Sequence, residues 1–443
     1  MEPLDRWIER QYRHSAAALM HSVSPLDIIK TRPGFAQTVK PRKGSIVASP
    51  VLGAYDPEPD YFFHWFRDSA VVVAAMRDLF EDTGDAKYLG HFADFVSFSL
   101  SLQGLDGRHL AGAPWRDAVA PDFKQFLRTE EDLSHARGDT LSGETRVNAD
   151  GTLDISKWPR PQNDGPPMRA IALLNWQACA VFSDELSADV DALLRADLRY
   201  TQSHWRDACF DIWEEEKGFH YYTLRVSAAA LGAGAEWLEG REENAEAAVY
   251  RADAAVILKK LDEYWREDLQ FMKSRVLEAN AHTSKELDIA VLFAAIHAGA
   301  DAPVHSVRDV RLHATLAKLE ALFDAEYPIN RNRAAGRGPA MGRYAGDVYY
   351  SGGAYYFSTL AAAEFCFRAA LHSASSAALL ARGDAYLETV RAYTPANGDL
   401  SEQFDQRTGA QSSARQLAWS YAAFITCARA RRIALPGVTS QQR

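Results

Sequence analysis

The sequence has few cysteines, no long apolar run and no Asn-x-Ser/Thr site in which x is other than proline. Its four cysteines are widely separated and form no metal-ligand spacing, so we interpret them as small buried residues. The N-terminus is charged from its second residue and lacks the apolar stretch of a signal peptide. No segment of about 20 apolar residues is present to span a membrane. Together these absences predict a cytoplasmic protein.

Positive charge is also in deficit. The chain of 443 residues has 59 Asp and Glu against 49 Lys and Arg, which gives a formal net charge of −10. Such a balance disfavours a nucleic-acid backbone or an anionic membrane as partner. A neutral small molecule or polymer fits better. We therefore expect no nucleic-acid or membrane partner, and we expect a monomer.

Strand-like alternation is scarce as well, and its best examples are the short segments 45–49 and 219–223. Apolar residues recur instead with the helical period, which predicts about twelve helices. The predicted helices are 4–22, 67–82, 86–104, 166–183, 186–207, 224–238, 242–263, 285–298, 304–325, 354–372, 376–393 and 412–432.

Short and long connections alternate between the predicted helices. The long connections, which are rich in Trp, Tyr, Gly and acidic residues, are 44–66, 105–165, 208–223, 264–284, 326–353 and 394–411. A closed ring of helical hairpins has this alternation, because all of its long loops then lie at one end. We predict an all-α (α/α)6 toroid of six inner and six outer helices, forming one catalytic domain over 1–443. The converging loops should form a concave active site.

Carboxylates, arginines and aromatic residues are concentrated in these long loops and at the helix starts that follow them. Arg and Asp pairs hydrogen-bond sugar hydroxyls, aromatic rings stack on the apolar face of a pyranose, and two carboxyl groups can flank a glycosidic bond. The combination favours sugar binding and glycosidic cleavage. The candidate residues are Tyr61, Trp65, Arg67, Asp68, Trp158, Trp213, Glu214, Glu215, Arg343, Tyr344, Asp347, Glu402 and Trp419.

Each of these signals also has a structural alternative when it is taken alone. Asp68 has the position of a helix N-cap, Trp158 could be a packing residue of its loop, and the Ser-Glu of Glu402 resembles a routine helix start. We find no His/Cys/Asp metal cluster, no phosphate-binding glycine loop and no Gly-x-Ser-x-Gly elbow. We therefore expect neither a metal nor a cofactor.

Three glutamates in succession, Glu214, Glu215 and Glu216, present a geometric problem. In a helix their side chains would point about 100° apart, and in an extended chain they would alternate sides. At most two of them can therefore face one pocket. Geometry alone does not decide which two.

Six segments of the chain, in this order, resemble the glucoamylase family, glycoside hydrolase family 15. They are SIVASP, DYFFHWFRDS, WPRPQNDGP, DIWEEEKG with YYT, GRYAGDVYYSGGAYYFSTLAAAE and LSEQFDQRTGAQSSARQLAWSYAA, and they cover about 45–432. The resemblance implies an (α/α)6 barrel. It also implies an inverting, exo-acting release of glucose from the non-reducing ends of α-1,4-linked glucans or malto-oligosaccharides.

Residue by residue, the resemblance implies that Glu214 is the general acid and Glu402 the general base that activates water. Glu215 would contact the sugar on the leaving side, which leaves Glu216 as an ordinary surface charge. The two carboxyl groups of an inverting pair are expected to lie roughly 6.5–9.5 Å apart. The residues that the resemblance places around the sugar are Tyr61, Trp65, Arg67, Asp68, Trp158, Trp213, Arg343, Tyr344, Asp347 and Trp419.

Two departures from the family's pattern leave the substrate open. The connection 105–157 is longer than in the fungal enzymes, and Tyr355 stands where they have Trp. Cleavage of α-1,6 linkages in isomaltose or dextran ends, or of trehalose, is therefore an alternative. Two further alternative functions are a non-catalytic sugar-binding regulator and an epimerase or lyase that would use His64 and His220. We expect neither a starch-binding module nor an N-terminal β-sandwich.

Overall fold

The computed structural model describes residues 2–53, 57–299, 302–331 and 333–435. Twelve helices of eight or more residues lie in this described part of the chain. They are α1 (Leu4–Met20), α2 (Phe66–Thr83), α3 (Ala86–Leu102), α4 (Gly165–Cys179), α5 (Asp184–His204), α6 (Tyr221–Glu239), α7 (Asn244–Leu261), α8 (Ala290–His297), α9 (Val310–Glu326), α10 (Tyr356–Ala370), α11 (Ser376–Tyr393) and α12 (Ala418–Ala434).

The even-numbered helices form the inner ring of a toroid. Each packs against the next even-numbered helix, and α12 packs against α2, so the ring is closed. In α10, 14 of 15 residues are buried, whereas only 5 of 18 are buried in α11. This contrast distinguishes inner from outer helices, because an inner helix is covered on nearly every side. The predicted all-α (α/α)6 fold is confirmed.

Short connections at one end of the toroid are closed by ordinary capping. Between α2 and α3, Gly84 adopts a φ of 66°, and its N–H bonds the carbonyl oxygen of Phe80 at 2.7 Å. Glycine takes this left-handed conformation without steric cost. The next residue, Asp85, caps α3 by accepting a hydrogen bond from the N–H of Lys87. The chain therefore reverses within two residues.

The long connections at the other end are joined by very short strands. Three of these strands run directly into inner helices: Phe63–Trp65 into α2, Lys217–His220 into α6, and Ala354–Tyr355 into α10. Each pairs antiparallel with strands of other loop segments, and this pairing ties the loops together where the inner helices begin. Their partners are Arg146–Asn148, Cys209–Phe210, Arg275–Leu277 and Gln403–Phe404, and Gln403–Phe404 pairs in turn with Gln411–Ser412. Two further hairpins pair Lys30–Arg32 with Gln37–Val39 and Trp265–Arg266 with Phe271–Met272.

Both predicted strands differ from the observed elements. Segment 45–49 is extended but forms only an isolated bridge, between Ile46 and Val23. Segment 219–223 is divided, because the strand ends at His220 and α6 begins at Tyr221. Periodicity over five residues was too short to separate strand from helix.

Three predicted helices begin later than the apolar pattern indicated. α8 begins at residue 290, since the Asp288 carboxylate accepts a hydrogen bond from the N–H of Ala290 at 2.8 Å. α9 begins at residue 310, after the capping residue Asp309. α12 begins at residue 418, because Ser413 and Gln416 have φ angles of 62° and 48°, which a helix cannot continue.

The long connection 105–165 folds as a compact insertion containing two short helices, Trp115–Ala118 and Glu130–His135. The buried guanidinium of Arg128 joins its parts by bonding Glu144 at 2.9 Å and Asp132 at 2.7 Å. A small apolar cluster then packs the insertion onto the N-terminal hairpin. That cluster consists of Phe35, Val119, Leu127 and Ile155.

The described cysteines Cys179, Cys209, Cys366 and Cys427 are all free, and the last three are buried. Among the helices described, none has the length and apolar character that crossing a membrane would require.

Candidate active site

One cavity of about 230 Å³ lies where the inner helices begin, and eleven of the thirteen predicted site residues line it. These eleven are Tyr61, Trp65, Arg67, Asp68, Trp158, Trp213, Glu214, Glu215, Arg343, Glu402 and Trp419. Six residues that were not predicted complete the wall: Ala48, Pro159, Ile212, Tyr349, Phe357 and Leu417. Tyr344 and Asp347 lie behind it.

The three successive glutamates form a tight turn around the carboxylate of Asp211. One Asp211 oxygen accepts hydrogen bonds from the N–H groups of Glu215 and Glu216, at 2.8 and 3.1 Å. Glu214 has a φ of 64°, a strained conformation for a residue other than glycine. Because of this turn, Glu214 and Glu215 both face the cavity while Glu216 does not.

Glu216 is not the surface charge that the sequence predicted. Its carboxylate pairs with the buried guanidinium of Arg275 at 2.9 Å and accepts a hydrogen bond from Thr283. Arg275 also bonds Asp211 at 2.8 Å and contacts Asp288. Burial opposes ionisation of Asp211, but Arg275 and the backbone N–H donors outweigh it and lower its pKa. Glu216 therefore belongs to a buried charge network that supports the turn.

Glu214 is held by N–H donors on both of its carboxylate oxygens. Trp65 Nε1 donates to Oε1 at 2.7 Å, and Trp158 Nε1 donates to Oε2. Arg67 Nη2 lies 3.3 Å from Oε1. Only 11% of the side chain is exposed. The carboxyl group is therefore oriented in the cavity by two tryptophans and one arginine.

Glu402 has a different set of partners. Ser413 Oγ donates to Oε2, and the Tyr61 hydroxyl lies 3.4 Å from Oε1. Tyr61 in turn bonds the hydroxyl of Tyr349 at 2.7 Å. Burial raises the pKa of Glu402 to about 7; the hydrogen bond from Ser413 opposes this rise, while the negative charge of Asp68 adds to it.

Arg67 and Asp68 form a paired group in the first turn of α2. Arg67 Nη2 lies 3.2 Å from Asp68, and Arg67 Nη1 lies 3.3 Å from the buried carboxylate of Asp164. Burial raises the pKa of Asp68 to about 6, although the charge of Arg67 opposes the rise. The N-cap of α2 is Trp65, without a side-chain cap bond, so the helix-cap alternative for Asp68 is wrong.

Glu215 lies between two cations on another wall. Arg343 Nη2 bonds its Oε1 at 3.0 Å, Lys285 Nζ bonds its Oε2 at 2.6 Å, and the Tyr344 hydroxyl also donates to Oε2. Asp347 accepts a bidentate pair of bonds from Arg343, at 2.6 and 2.7 Å. Tyr344 and Asp347 thus position Glu215 and Arg343 from behind the cavity.

Several supporting residues were not identified from the sequence. Tyr349 belongs to the same aromatic segment as Tyr344, and Ser413 lies in the segment that leads to Trp419. Both could have been suggested because they are close in sequence to predicted site residues. Lys285 had no such signal, since it stands at the start of the predicted helix 285–298, after a loop without candidates, and only the fold brings it to Glu215.

Tyr355, which replaces a Trp of the family's pattern, does not line the cavity. Its side chain is 1% exposed, and its hydroxyl donates to Asp347 and accepts a hydrogen bond from Gln403. The replacement therefore changes a contact of Asp347, which holds Arg343, and does not change the cavity wall.

The two loop histidines lie away from the cavity. The N–H of Ile46 donates to His64 Nδ1 at 3.0 Å, and burial lowers the pKa of His64 to about 3. Burial likewise lowers the pKa of His220, to about 4, and its ring contacts the carbonyl of Cys209. Neither is placed for the acid–base role that an epimerase or lyase would need. Within the described ranges, no group of three or more His, Cys, Asp and Glu side chains could hold a metal.

A closed (α/α)6 ring with two oriented carboxyl groups, an Arg–Asp pair and aromatic walls in one cavity is the architecture of a glycoside hydrolase. The sequence model of glycosyl hydrolases family 15 matches residues 118–381 and 375–429, which together span more than two thirds of the chain. The chain belongs to this family.

Individual relatives agree with that assignment. A glucoamylase of Neurospora crassa is 28% identical over 89% of this chain, and the match covers 64% of that protein. A probable glucoamylase of Schizosaccharomyces pombe is 27% identical over 98% of this chain and 93% of its own length. The chain thus spans just under two thirds of one relative and nearly all of the other.

Solved structures are similar over almost the whole chain. The family 15 glucoamylase of Hypocrea jecorina superimposes with a TM-score of 0.79 at 25% identity, covering 99% of this chain and 74% of that one. The glucoamylase of Hormoconis resinae gives a TM-score of 0.77 at 26% identity, with 99% and 77% coverage.

Proposed function

We propose that this protein is an inverting, exo-acting α-glucosidase that releases glucose from the non-reducing ends of α-1,4-linked glucans or malto-oligosaccharides. One observation is central to the proposal: Glu214 and Glu402 line the same cavity but are held by separate sets of donors. Two carboxyl groups in different environments can take different roles, one as acid and one as base. The glucoamylase relatives support the substrate class.

In the proposed mechanism, Glu214 donates its proton to the glycosidic oxygen as the bond to the anomeric carbon breaks. The resulting carboxylate would then accept the N–H bonds of Trp65, Trp158 and Arg67. Because these donors are already in place, little reorganisation is needed as negative charge develops.

Glu402 takes a proton from the water that attacks the opposite face of the anomeric carbon. Ser413 and Tyr61 orient its carboxylate, and Tyr349 orients Tyr61. Inversion requires room for this water, so we expect the two carboxyl groups to lie roughly 6.5–9.5 Å apart in the substrate complex.

The terminal sugar is assigned to the cavity beside Arg67 and Asp68, whose donors and acceptors suit neighbouring hydroxyl groups. A volume of about 230 Å³ is small compared with the roughly 300–1,000 Å³ of typical ligand pockets. Such a cavity suits one chain end better than an internal stretch of glucan, which supports exo-action.

The stereochemical test is ¹H NMR of maltose hydrolysis during the first turnovers, before mutarotation. Because the reducing-end glucose of maltose is released with its own anomeric mixture, we expect β-glucose in excess of that mixture, and an excess of α-glucose would contradict inversion. Initial rates on maltose, isomaltose, trehalose and soluble starch decide the linkage. Faster hydrolysis of isomaltose or trehalose than of maltose would replace the α-1,4 assignment by one of the alternatives.

The role assignments are tested with Glu214→Gln and Glu402→Gln. Each substitution should lower kcat by at least about 10²-fold, since general acid–base catalysis contributes that much or more. The matched control is Glu131→Gln, which changes an exposed carboxyl in the insertion. Near wild-type turnover in either catalytic variant would refute its role. A wild-type protein that binds maltose without cleaving it would favour the sugar-binding regulator.

A further inference from the structure

A second and larger cavity adjoins the catalytic one. Its volume is about 510 Å³, and it lies between the N-terminal hairpin and the insertion 105–165. Tyr61, Trp158 and Tyr349 line both cavities. The two spaces therefore share one aromatic wall.

Five more aromatic residues line this second cavity, beside polar and charged ones: Phe35, Phe63, Phe123, Phe126 and Tyr350. Phe35 and Phe123 pack edge to face with ring centroids 5.2 Å apart. Phe126 is 50% exposed and Tyr350 is 38% exposed, although both are large hydrophobic residues. Half-exposed aromatic rings beside a cavity are typical of a site that binds apolar ligands.

The charged groups along the second cavity are already engaged with protein partners. Arg32 bonds Asp60 at 2.6 Å and two further acceptors, the Asn148 side chain and the Phe62 carbonyl. Arg146 bonds Asp154 at 2.9 Å, and its guanidinium stacks 3.6 Å from the ring centroid of Trp158. Hydroxyl groups of a bound sugar would find few uncommitted partners here, so the lining favours a ligand without many hydroxyls.

The shared wall reaches the proposed general acid. Trp158 Nε1 donates to Glu214 Oε2, and the same side chain lines the second cavity. Tyr61, which is also shared, lies 3.4 Å from Glu402, so the second cavity adjoins the side chains that hold both carboxyl groups. Glu214 is the group assigned to protonate the leaving oxygen, and a leaving group that extends from it past Trp158 would enter the second cavity.

We propose that the second cavity binds an apolar aglycone, so that the enzyme also hydrolyses α-glucosides of alkyl and aryl alcohols. This inference rests on the proposed function. In the reaction, the bond between the anomeric carbon and the aglycone oxygen breaks, and Glu214 protonates that oxygen to release the alcohol. Water supplies the new oxygen of glucose, and Glu402 takes the proton that the water loses.

The kinetic test compares octyl α-D-glucoside, below the concentration at which it forms micelles, with maltose. Phe126→Ser removes a half-exposed ring of the second cavity and should lower kcat/KM for octyl glucoside by about tenfold, the scale of a lost apolar pocket contact. Hydrolysis of maltose should be unchanged. The control is Val181→Ser, which changes a residue that is 93% exposed in the short α4–α5 connection.

A filling variant tests the same space from the opposite direction. Gln37 is half-buried, lines the second cavity and lies in a short strand, where an aromatic residue is well accommodated. Gln37→Trp should therefore exclude octyl glucoside while maltose is still cleaved. Equal loss on both substrates, or no change with octyl glucoside in either variant, would overturn the proposal.

Direct binding separates this inference from the proposed function. Calorimetric titration of Glu402→Gln with methyl and octyl α-D-glucosides should show at least about tenfold tighter binding of the octyl compound. Adding Phe126→Ser should remove most of that difference. Equal affinity for the two glucosides would refute the aglycone site. If the wild type does not release glucose from maltose, the proposed function is refuted. The titration would still decide whether the second cavity binds the alkyl chain, because it does not depend on turnover.

Discussion

Glu402 should destabilise the folded protein at neutral and alkaline pH, and replacing it with Gln should relieve that cost. Burial raises its pKa from 4.5 to about 7, a difference of about 2.5 pH units. The folded protein therefore holds the Glu402 proton more tightly than the unfolded chain does. The free energy of unfolding falls as pH rises from about 4.5 to about 7; the loss is complete above pH 7 and absent below pH 4.5.

The size of this effect follows from the pKa difference. At 1.36 kcal/mol per pH unit, the ionised Glu402 costs about 3 kcal/mol of stability. An unfolding entropy of about 2.1 cal/mol/K per residue gives about 0.9 kcal/mol/K for 443 residues. Removing the charge should therefore raise Tm by about 3 °C at pH 8.

Glu402→Gln suits this experiment because its carboxamide can still accept the hydrogen bond from Ser413 without carrying a charge. Scanning calorimetry at one fixed scan rate should find the variant more stable than wild type at pH 8, with the difference lost near pH 4.5. Glu131→Gln, which alters an exposed carboxyl, should show no such trend. A Tm difference that is the same at both pH values would refute the reasoning.

Three further predictions concern the same site. If Glu402 is the base, kcat/KM for maltose should rise with pH through about 7 on its acidic limb, since the base must be ionised; a limb centred near 4.5 would contradict this. Ser413→Ala removes a hydrogen bond that favours the ionised carboxyl, so that limb should move upward by about one pH unit, whereas Ser413→Thr should retain most of the wild-type profile. Arg275→Met leaves Asp211 and Asp288 without their buried cation and should lower stability by about 3–5 kcal/mol in thermal unfolding, while Arg251→Met, at an exposed ion pair, should change it little.

The ring of helices was predictable because its pattern is local and repeated twelve times. An inner helix such as α10 is apolar on nearly every side, and the alternation of long and short connections is the one that a closed ring of helical hairpins has. Helix starts were less predictable. The beginnings of α8 and α12 depend on the Asp288 carboxylate that bonds the N–H of Ala290 and on left-handed residues such as Ser413, which an apolar period does not record.

The candidate site was recognisable from residue types and motif order, but its internal connections were not. The sequence showed that Glu214, Glu215 and Glu216 could not all face one pocket. It did not show that Asp211 folds them into a turn, or that Glu216 faces the buried Arg275 instead of solvent. The Asp211 turn is local but depends on the left-handed conformation of Glu214, which an apolar period does not record. The pair of Glu216 and Arg275 joins residues 59 positions apart, and no local pattern encodes such a distance.

By itself, the sequence determined the helical ring, the family and most of the cavity's residues, because helical periodicity and motif order are local properties of the chain. Tertiary structure alone decided which neighbours each carboxyl group has. It placed the indole N–H groups of two loops on Glu214, enclosed Glu402 so that its pKa rises, and set an aromatic cavity beside both. Burial and hydrogen bonding between distant segments control those properties, and they arise only when the loops close over the ring.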